Sequence, residues 1–122
     1  MEHIKYVILN GEALKLSDPV FYNDNRGFRF GDAVFETMHA NGTETQFFDD
    51  HFARISDAMR LFRMKIPDNF KPSLIYSEIK SLLVRNKLFQ GAKVRLSVFR
   101  RGAGAYTPET DEISYFIETE KI

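Results

Sequence analysis

Val34-Phe35-Glu36-Thr37-Met38-His39-Ala40 runs directly into Asn41-Gly42. Side chains of a strand alternate between its faces, so Val34, Glu36, Met38 and Ala40 share one side and Phe35, Thr37 and His39 the other. Asn-Gly after an alternating run is a strong short-range hairpin signal and predicts a type I′ turn, with the chain returning through Thr43 to Phe47. A helical pattern follows at once: Phe48, Phe52, Ile55, Met59 and Phe62 form an apolar stripe at the 3.6-residue period. Asp49 or Asp50 is placed to cap that helix, because a carboxylate there meets unpaired N–H groups and the positive end of the dipole. A hairpin feeding a one-sided helix needs a sheet for that helix to cover.

The flanking segments supply it. Residues 4–9 read as a buried strand, Asn10-Gly11 as a second hairpin turn and residues 13–16 as its return. A second helix is predicted from about Pro72 to Lys87, with Ile75, Ile79, Leu82 and Leu83 inward and Pro72 at its first turn. Residues 93–99 alternate again, with Val94, Leu96 and Val98 opposed to Lys93, Arg95, Ser97 and Phe99. Residues 113–119 make a last strand. The order ββ-ββ-αα-ββ with hairpin connections predicts the α+β class: a mainly antiparallel sheet with two helices packed on one face. Residues 17–32 and 100–112 are loops rich in turn formers. The first carries Phe21, Tyr22, Phe28 and Phe30, which either fold back onto the core or line a pocket.

A chain of 122 residues is one domain, 1–122. With 12 Phe and 5 Tyr it has rings enough for a filled core or a ring-lined cavity. Lys plus Arg and Asp plus Glu are 17 each, and a neutral chain lacks the cation excess that nucleic-acid binding needs. There is no cysteine, which removes thiolate metal sites and a cysteine nucleophile. His3, His39 and His51 lack the spacing of a zinc pair, so no metal site is expected. No apolar run reaches the roughly 20 residues of a membrane span, and residues 1–6 lack a secretory h-region. A cytoplasmic protein that binds neither membrane nor nucleic acid is expected.

Two arginines stand out. Arg54 lies off the apolar stripe of its helix. It either pairs with Asp50 at i−4 on the surface or grips a phosphate or carboxylate with its planar fork. Arg95, on the polar side of its strand, is either a surface charge or an anion receptor. Arg100 and Arg101 read as solvated, and His51 as a solvated first-turn residue.

Arg29-Phe30-Gly31-Asp32-Ala33-Val34-Phe35-Glu36-Thr37 resembles the opening signature of the class IV aminotransferases, the fold type IV pyridoxal-phosphate (PLP) enzymes. These include branched-chain aminotransferase, D-amino-acid aminotransferase and aminodeoxychorismate lyase. Asn10-Gly11, Asn41-Gly42, His51-Phe52-Ala53-Arg54-Ile55 and Arg101-Gly102 fall in the family's order, so the resemblance covers nearly the whole chain. It implies that Arg54 grips the PLP phosphate and that Phe30, Phe35, Arg95 and Tyr106 occupy substrate-pocket positions. It also implies that this chain corresponds to the N-terminal small domain. The Schiff-base lysine belongs to a larger second domain absent here, and none of the 8 lysines matches it. The chain alone is therefore expected to have no catalytic residue, to hold no PLP and to be inactive, its parent being a homodimer. The other possibility is a naturally short binding or interaction module with the same fold.

The implied parent reaction is amino transfer between a small amino acid and a 2-oxo acid, or conversion of aminodeoxychorismate to 4-aminobenzoate. Phe35-Glu36-Thr37 resembles the lyase and unassigned aminotransferases more than the branched-chain enzymes, which usually read Phe-Glu-Gly. Arg95 instead falls where the branched-chain enzyme has an arginine beside its carboxylate pocket. Tyr106 occupies the place of the additional arginine of the D-amino-acid enzyme, against a D-selective carboxylate trap. Lyase and aminotransferase both stay open.

Overall fold

The structure, a computed structural model, describes residues 5–16, 33–101 and 112–122. In chain order its elements are β1 (Tyr6–Leu9), β2 (Glu12–Lys15), β3 (Ala33–Asn41), β4 (Glu44–Thr45), α1 (Phe48–Leu61), α2 (Pro72–Arg85), β5 (Ala92–Arg100) and β6 (Ile113–Lys121). The strands form one sheet in the order β2-β1-β6-β5-β3-β4, every pairing antiparallel. This is the predicted α+β arrangement.

Register fixes the two faces. Val34 opposes Val98, Met38 opposes Val94 and Ala40 opposes Ala92, while Leu96 meets Ile117 on the other side. These residues are buried together with Ile55 and Met59 of α1 and Ile75, Ile79, Leu82 and Leu83 of α2. Both helices therefore cover the same face. Rings tie the layers: Phe70 stacks on Phe52 with centroids 5.2 Å apart and meets Tyr115 edge-on at 5.5 Å. Phe48 meets Tyr76 edge-on at 5.2 Å, joining the helices. The other face carries a smaller apolar cluster of Val7, Phe99 and Phe116, beside Phe35, Arg95 and Lys93.

Local details correct the sequence reading. The β3–β4 turn is one residue further on, because Asn41 pairs with Glu44 and leaves Gly42-Thr43 as the loop. Gly42 has φ +64° while neither Asn41 nor Thr43 is left-handed, which fits a type II′ turn with glycine first rather than type I′. Neither Asp49 nor Asp50 caps α1. Phe47 holds the N-cap position in left-handed conformation without a side-chain cap, and both aspartates sit in the first turn, where the dipole still favours them. Phe62 lies past the helix end and is half exposed, so the stripe stops at Met59. Arg100 is 4% exposed, not solvated, and its Nη2 donates to the Phe62 carbonyl at 2.6 Å. A cation there satisfies a carbonyl at the negative end of α1.

The first hairpin is the type I′ kind, with Asn10 at φ 52° and Gly11 at φ 86°. A Cβ on Gly11 would also lie 3.2 Å from the Tyr115 hydroxyl. Gly11→Ala is expected to destabilise by about 1–2 kcal/mol through the left-handed backbone alone. A urea midpoint equal to wild type would refute the turn.

The Tyr115 hydroxyl donates to Glu78 Oε1 at 2.8 Å. Burial pushes the Glu78 carboxyl above its ordinary 4.5, and the hydrogen bond from Tyr115 pulls it partly back. Burial, followed by the bond to Glu78 and its charge, holds the Tyr115 phenol above its ordinary range, so it stays a donor. The native state thus keeps the Glu78 proton more tightly than the unfolded chain. This contribution is complete at low pH and is lost as pH rises from 4.5 through the raised value. Glu78→Gln, which still accepts from Tyr115, is expected to remove that loss. Urea midpoints of both proteins at about pH 4.5 and 7 check it, and identical pH dependence would count against the buried carboxyl.

Candidate functional site

Glu36 decides the first part of the site. It lies on the face of β3 that also carries Val34 and Met38, so the alternation that buries those two turns a carboxylate toward α1. A carboxylate taken from water needs donors. α1 supplies them from one turn: His51 Nδ1 lies 2.7 Å from Glu36 Oε1. Arg54 donates to the same oxygen from Nε at 3.1 Å, while its Nη2 lies 3.1 Å from that oxygen as an ion pair and 2.9 Å from His51 Nδ1. The side chains of Glu36 and His51 are 19% and 16% exposed, whereas that of Arg54 is 59% exposed. The guanidinium is held along its Nε–Nη2 side, and among the described residues its Nη1 has no hydrogen-bond partner. The expected alternative, an Arg54–Asp50 surface pair, is not what forms; the partner comes from the sheet.

The second part is on the opposite face. Phe35 and Arg95 come from adjacent strands, since Thr37 is the register partner of Arg95 and Ser97 that of Phe35. The Arg95 guanidinium lies over the Phe35 ring, 4.0 Å from its centroid. Phe35 is 55% exposed. A flat cation on an aromatic platform keeps its edge donors open to a carboxylate.

The two parts are consecutive on one strand, Phe35 facing one way and Glu36 the other. β4 pairs with β3 only at Ala40 and Asn41, with one further bond from Gln46 N to His39 O. Among the described residues, Ala33–Met38 is thus an open sheet edge. A ligand lying along that edge can reach both faces. A cleft of about 800 Å³ opens at the other end of β3, lined by His39, Lys87, Phe89 and Lys121, and holds none of the predicted site residues.

Of those residues, Phe35 and Arg95 are brought together and Arg54 is anchored nearby. Phe30 and Tyr106, and the rings of residues 17–32, lie outside the described residues. Sequence reasoning missed Glu36 and His51, the latter read as solvated. The available signal was an acid on the apolar side of a strand, which predicts a buried cationic partner.

The family profile described as Amino-transferase class IV matches residues 33–121. The chain belongs to the class IV aminotransferases. Solved structures of the same fold include the branched-chain aminotransferase of the thermophilic archaeon Thermoproteus uzoniensis with norvaline. It has a TM-score of 0.84 and 13% identity, covering 97% of this chain and 41% of that one. The branched-chain amino acid aminotransferase of Escherichia coli gives 0.84 and 18%, covering 98% and 40%. That of Thermobaculum terrenum, solved as a mutant, gives 0.81 and 20%, covering 99% and 41%. This class IV chain thus spans about two-fifths of the length of these neighbours. No curated protein sequence matches it. The family-matched segment contains Phe35, Glu36, His51, Arg54, Arg95 and Tyr106; Phe30 precedes it.

Proposed function

We propose that this chain is the small N-terminal domain of a PLP-dependent class IV enzyme that moves an amino group between a small amino acid and a 2-oxo acid. The observation that carries the reading is the family match over residues 33–121, which includes both Arg54 and the Phe35–Arg95 pair. The residues fit the cofactor: Arg54 is anchored on one side and open on another, as a phosphate grip requires. When bound, PLP supplies an electron sink for carbanion chemistry at the substrate Cα. Arg54 holds its phosphate. Phe35 forms an apolar wall, and Arg95, fixed on that ring, receives a substrate carboxylate. The family resemblance assigns Phe30 and Tyr106 to the substrate pocket as well.

The proton at Cα is moved by a lysine of a second domain, not by this chain, so the isolated 122 residues neither turn over substrate nor hold PLP. The parent works as a homodimer. Arg95 on its aromatic platform supports a carboxylate substrate and hence amino transfer; the Phe35-Glu36-Thr37 run favours aminodeoxychorismate lysis as the second reading.

The test is the full-length protein assayed with PLP for transfer from a panel of amino acids to 2-oxo acids, and in parallel for 4-aminobenzoate. Transfer without 4-aminobenzoate supports the first reading and the reverse result the second. A full-length protein without a second domain and without either activity would defeat both and leave a non-catalytic module, whereas turnover by the 122-residue chain alone would overturn the assignment of the chemistry to a second domain.

A further inference from the structure

We infer that the cleft at the C-terminal end of α2 is a binding site for a small organic dicarboxylate whose apolar body holds its two acids apart. The inference does not depend on the PLP reading, since Phe35, Arg54 and Arg95 line no part of this cleft.

At about 800 Å³ the cleft falls within the size range of small-molecule sites. Its basic side chains come from four separate places in the chain: Lys5 just before β1, His39 on β3, Lys87 just after α2 and Lys121 at the end of β6. Asn86 fixes how these segments meet. Its side-chain oxygen accepts from Tyr6 N at 2.7 Å, and its Nδ2 donates to Tyr6 O at 2.9 Å and to Thr119 Oγ1 at 2.8 Å. One amide thus ties the end of α2 to β1 and β6, and holds Lys87, Lys5 and Lys121 around one opening.

The charge at that opening is one-sided. The chain balances 17 Lys and Arg against 17 Asp and Glu, yet among the described residues three lysines and a histidine line the cleft and no carboxylate side chain does. None of the three lysines forms an ion pair among the described residues. Glu120, the neighbour of Lys121, is taken by Lys93 at 3.4 Å. Lys87 also holds φ 57°, a left-handed backbone that favours glycine. The negative end of α2 accounts for a cation at that position. It does not account for Lys5 or Lys121, which belong to the sheet.

Lysines gathered without a counter-charge repel one another, and an anion between them relieves that repulsion. A single negative charge would leave most of them uncompensated, so the ligand carries two. A phosphate fits poorly: among the described residues no arginine fork lines the cleft. The helix that ends there also presents its negative end, the opposite of the helix N-terminus that favours phosphate. Cations standing on separate elements suit two carboxylates held apart. Phe89 and Ile122, 53% and 68% exposed, line the same cleft and give the body between those carboxylates an apolar surface.

The test is a titration of the 122-residue chain followed through its backbone amides by NMR. Isophthalate, with two carboxylates on one ring, should shift the amides of Lys5, His39, Lys87, Phe89 and Lys121 saturably. Benzoate keeps the ring with one carboxylate, and succinate keeps both carboxylates without the ring. Each should bind at least about threefold more weakly than isophthalate. Lys87→Gly should also weaken isophthalate at least about threefold. Glycine relieves the left-handed backbone at that position, so the loss is not one of folding. Lys80→Gln removes the same charge from the exposed side of α2 and should leave binding unchanged. Three results would each overturn the site: no saturable shifts at the cleft, benzoate or succinate binding as tightly as isophthalate, or equal losses from Lys87→Gly and Lys80→Gln.

Discussion

Replacing Arg54 with alanine in the full-length enzyme is expected to weaken PLP binding about 10- to 150-fold. A charge-assisted hydrogen bond to a phosphate dianion contributes roughly 1.5–3 kcal/mol, and each 1.4 kcal/mol is a factor of ten in affinity. Arg54 is suited to that role because its open end faces solvent while Glu36 holds the side of the fork. Arg54→Lys should recover only part of the loss. The fold itself should tolerate Arg54→Ala, since the side chain lies outside the apolar stripe that seats α1. The variant does strand Glu36 with His51 as its remaining donor, so a small stability loss is expected beside a large affinity loss. PLP titration and urea unfolding of the same two proteins separate these effects. Equal dissociation constants would show that the Arg54–Glu36 pair is purely structural.

Phe70→Ala should give the largest change in stability, about 3–5 kcal/mol. Phe70 is 3% exposed and lies between α1 and α2 in sequence. Its ring stacks on Phe52 of α1 and meets Tyr115 of β6 edge-on, joining a helix to the sheet through one side chain. Truncation removes both ring contacts and leaves a void that the surrounding helices can close only in part. It also loosens Tyr115, whose hydroxyl supports Glu78. A domain of this kind is stable by about 5–15 kcal/mol, so the loss is a large share of the total. Phe47→Ala is the control. That ring is 75% exposed at the start of α1 and should stay within about 0.5 kcal/mol of wild type. Denaturant midpoints at constant slope measure both. Similar values for the two would contradict the ring network.

Strands and helices were legible because their burial is one-sided. Alternation at 34–40 and 93–99 matches β3 and β5, and the 3.6-residue stripes match α1 and α2, each with shifted ends. Ends and caps were less legible. Asn41-Gly42 and Asn10-Gly11 are the same dipeptide, yet strand pairing places one a residue further along and gives the two turns different handedness pairs. Asp49 and Asp50 looked like caps by type, but where β4 ends put Phe47 at that position.

By itself, then, the sequence determined the α+β class, the covered face of the sheet and the family signature, since each is carried by residues close together along the chain. It also proposed Phe35, Arg54 and Arg95 one by one, through type and family position. Only the tertiary structure decided their partners. Glu36 and Arg54 are 18 residues apart and meet because α1 folds back over β3. Arg95 lies on Phe35 because β5 takes the place beside β3 across both intervening helices. Arg100 reaches the Phe62 carbonyl for the same reason, and so is buried where its neighbours in sequence suggested solvent. A charge reads as solvated or paired only once its partner is known, and that partner is set by sheet order and register, which no local pattern encodes.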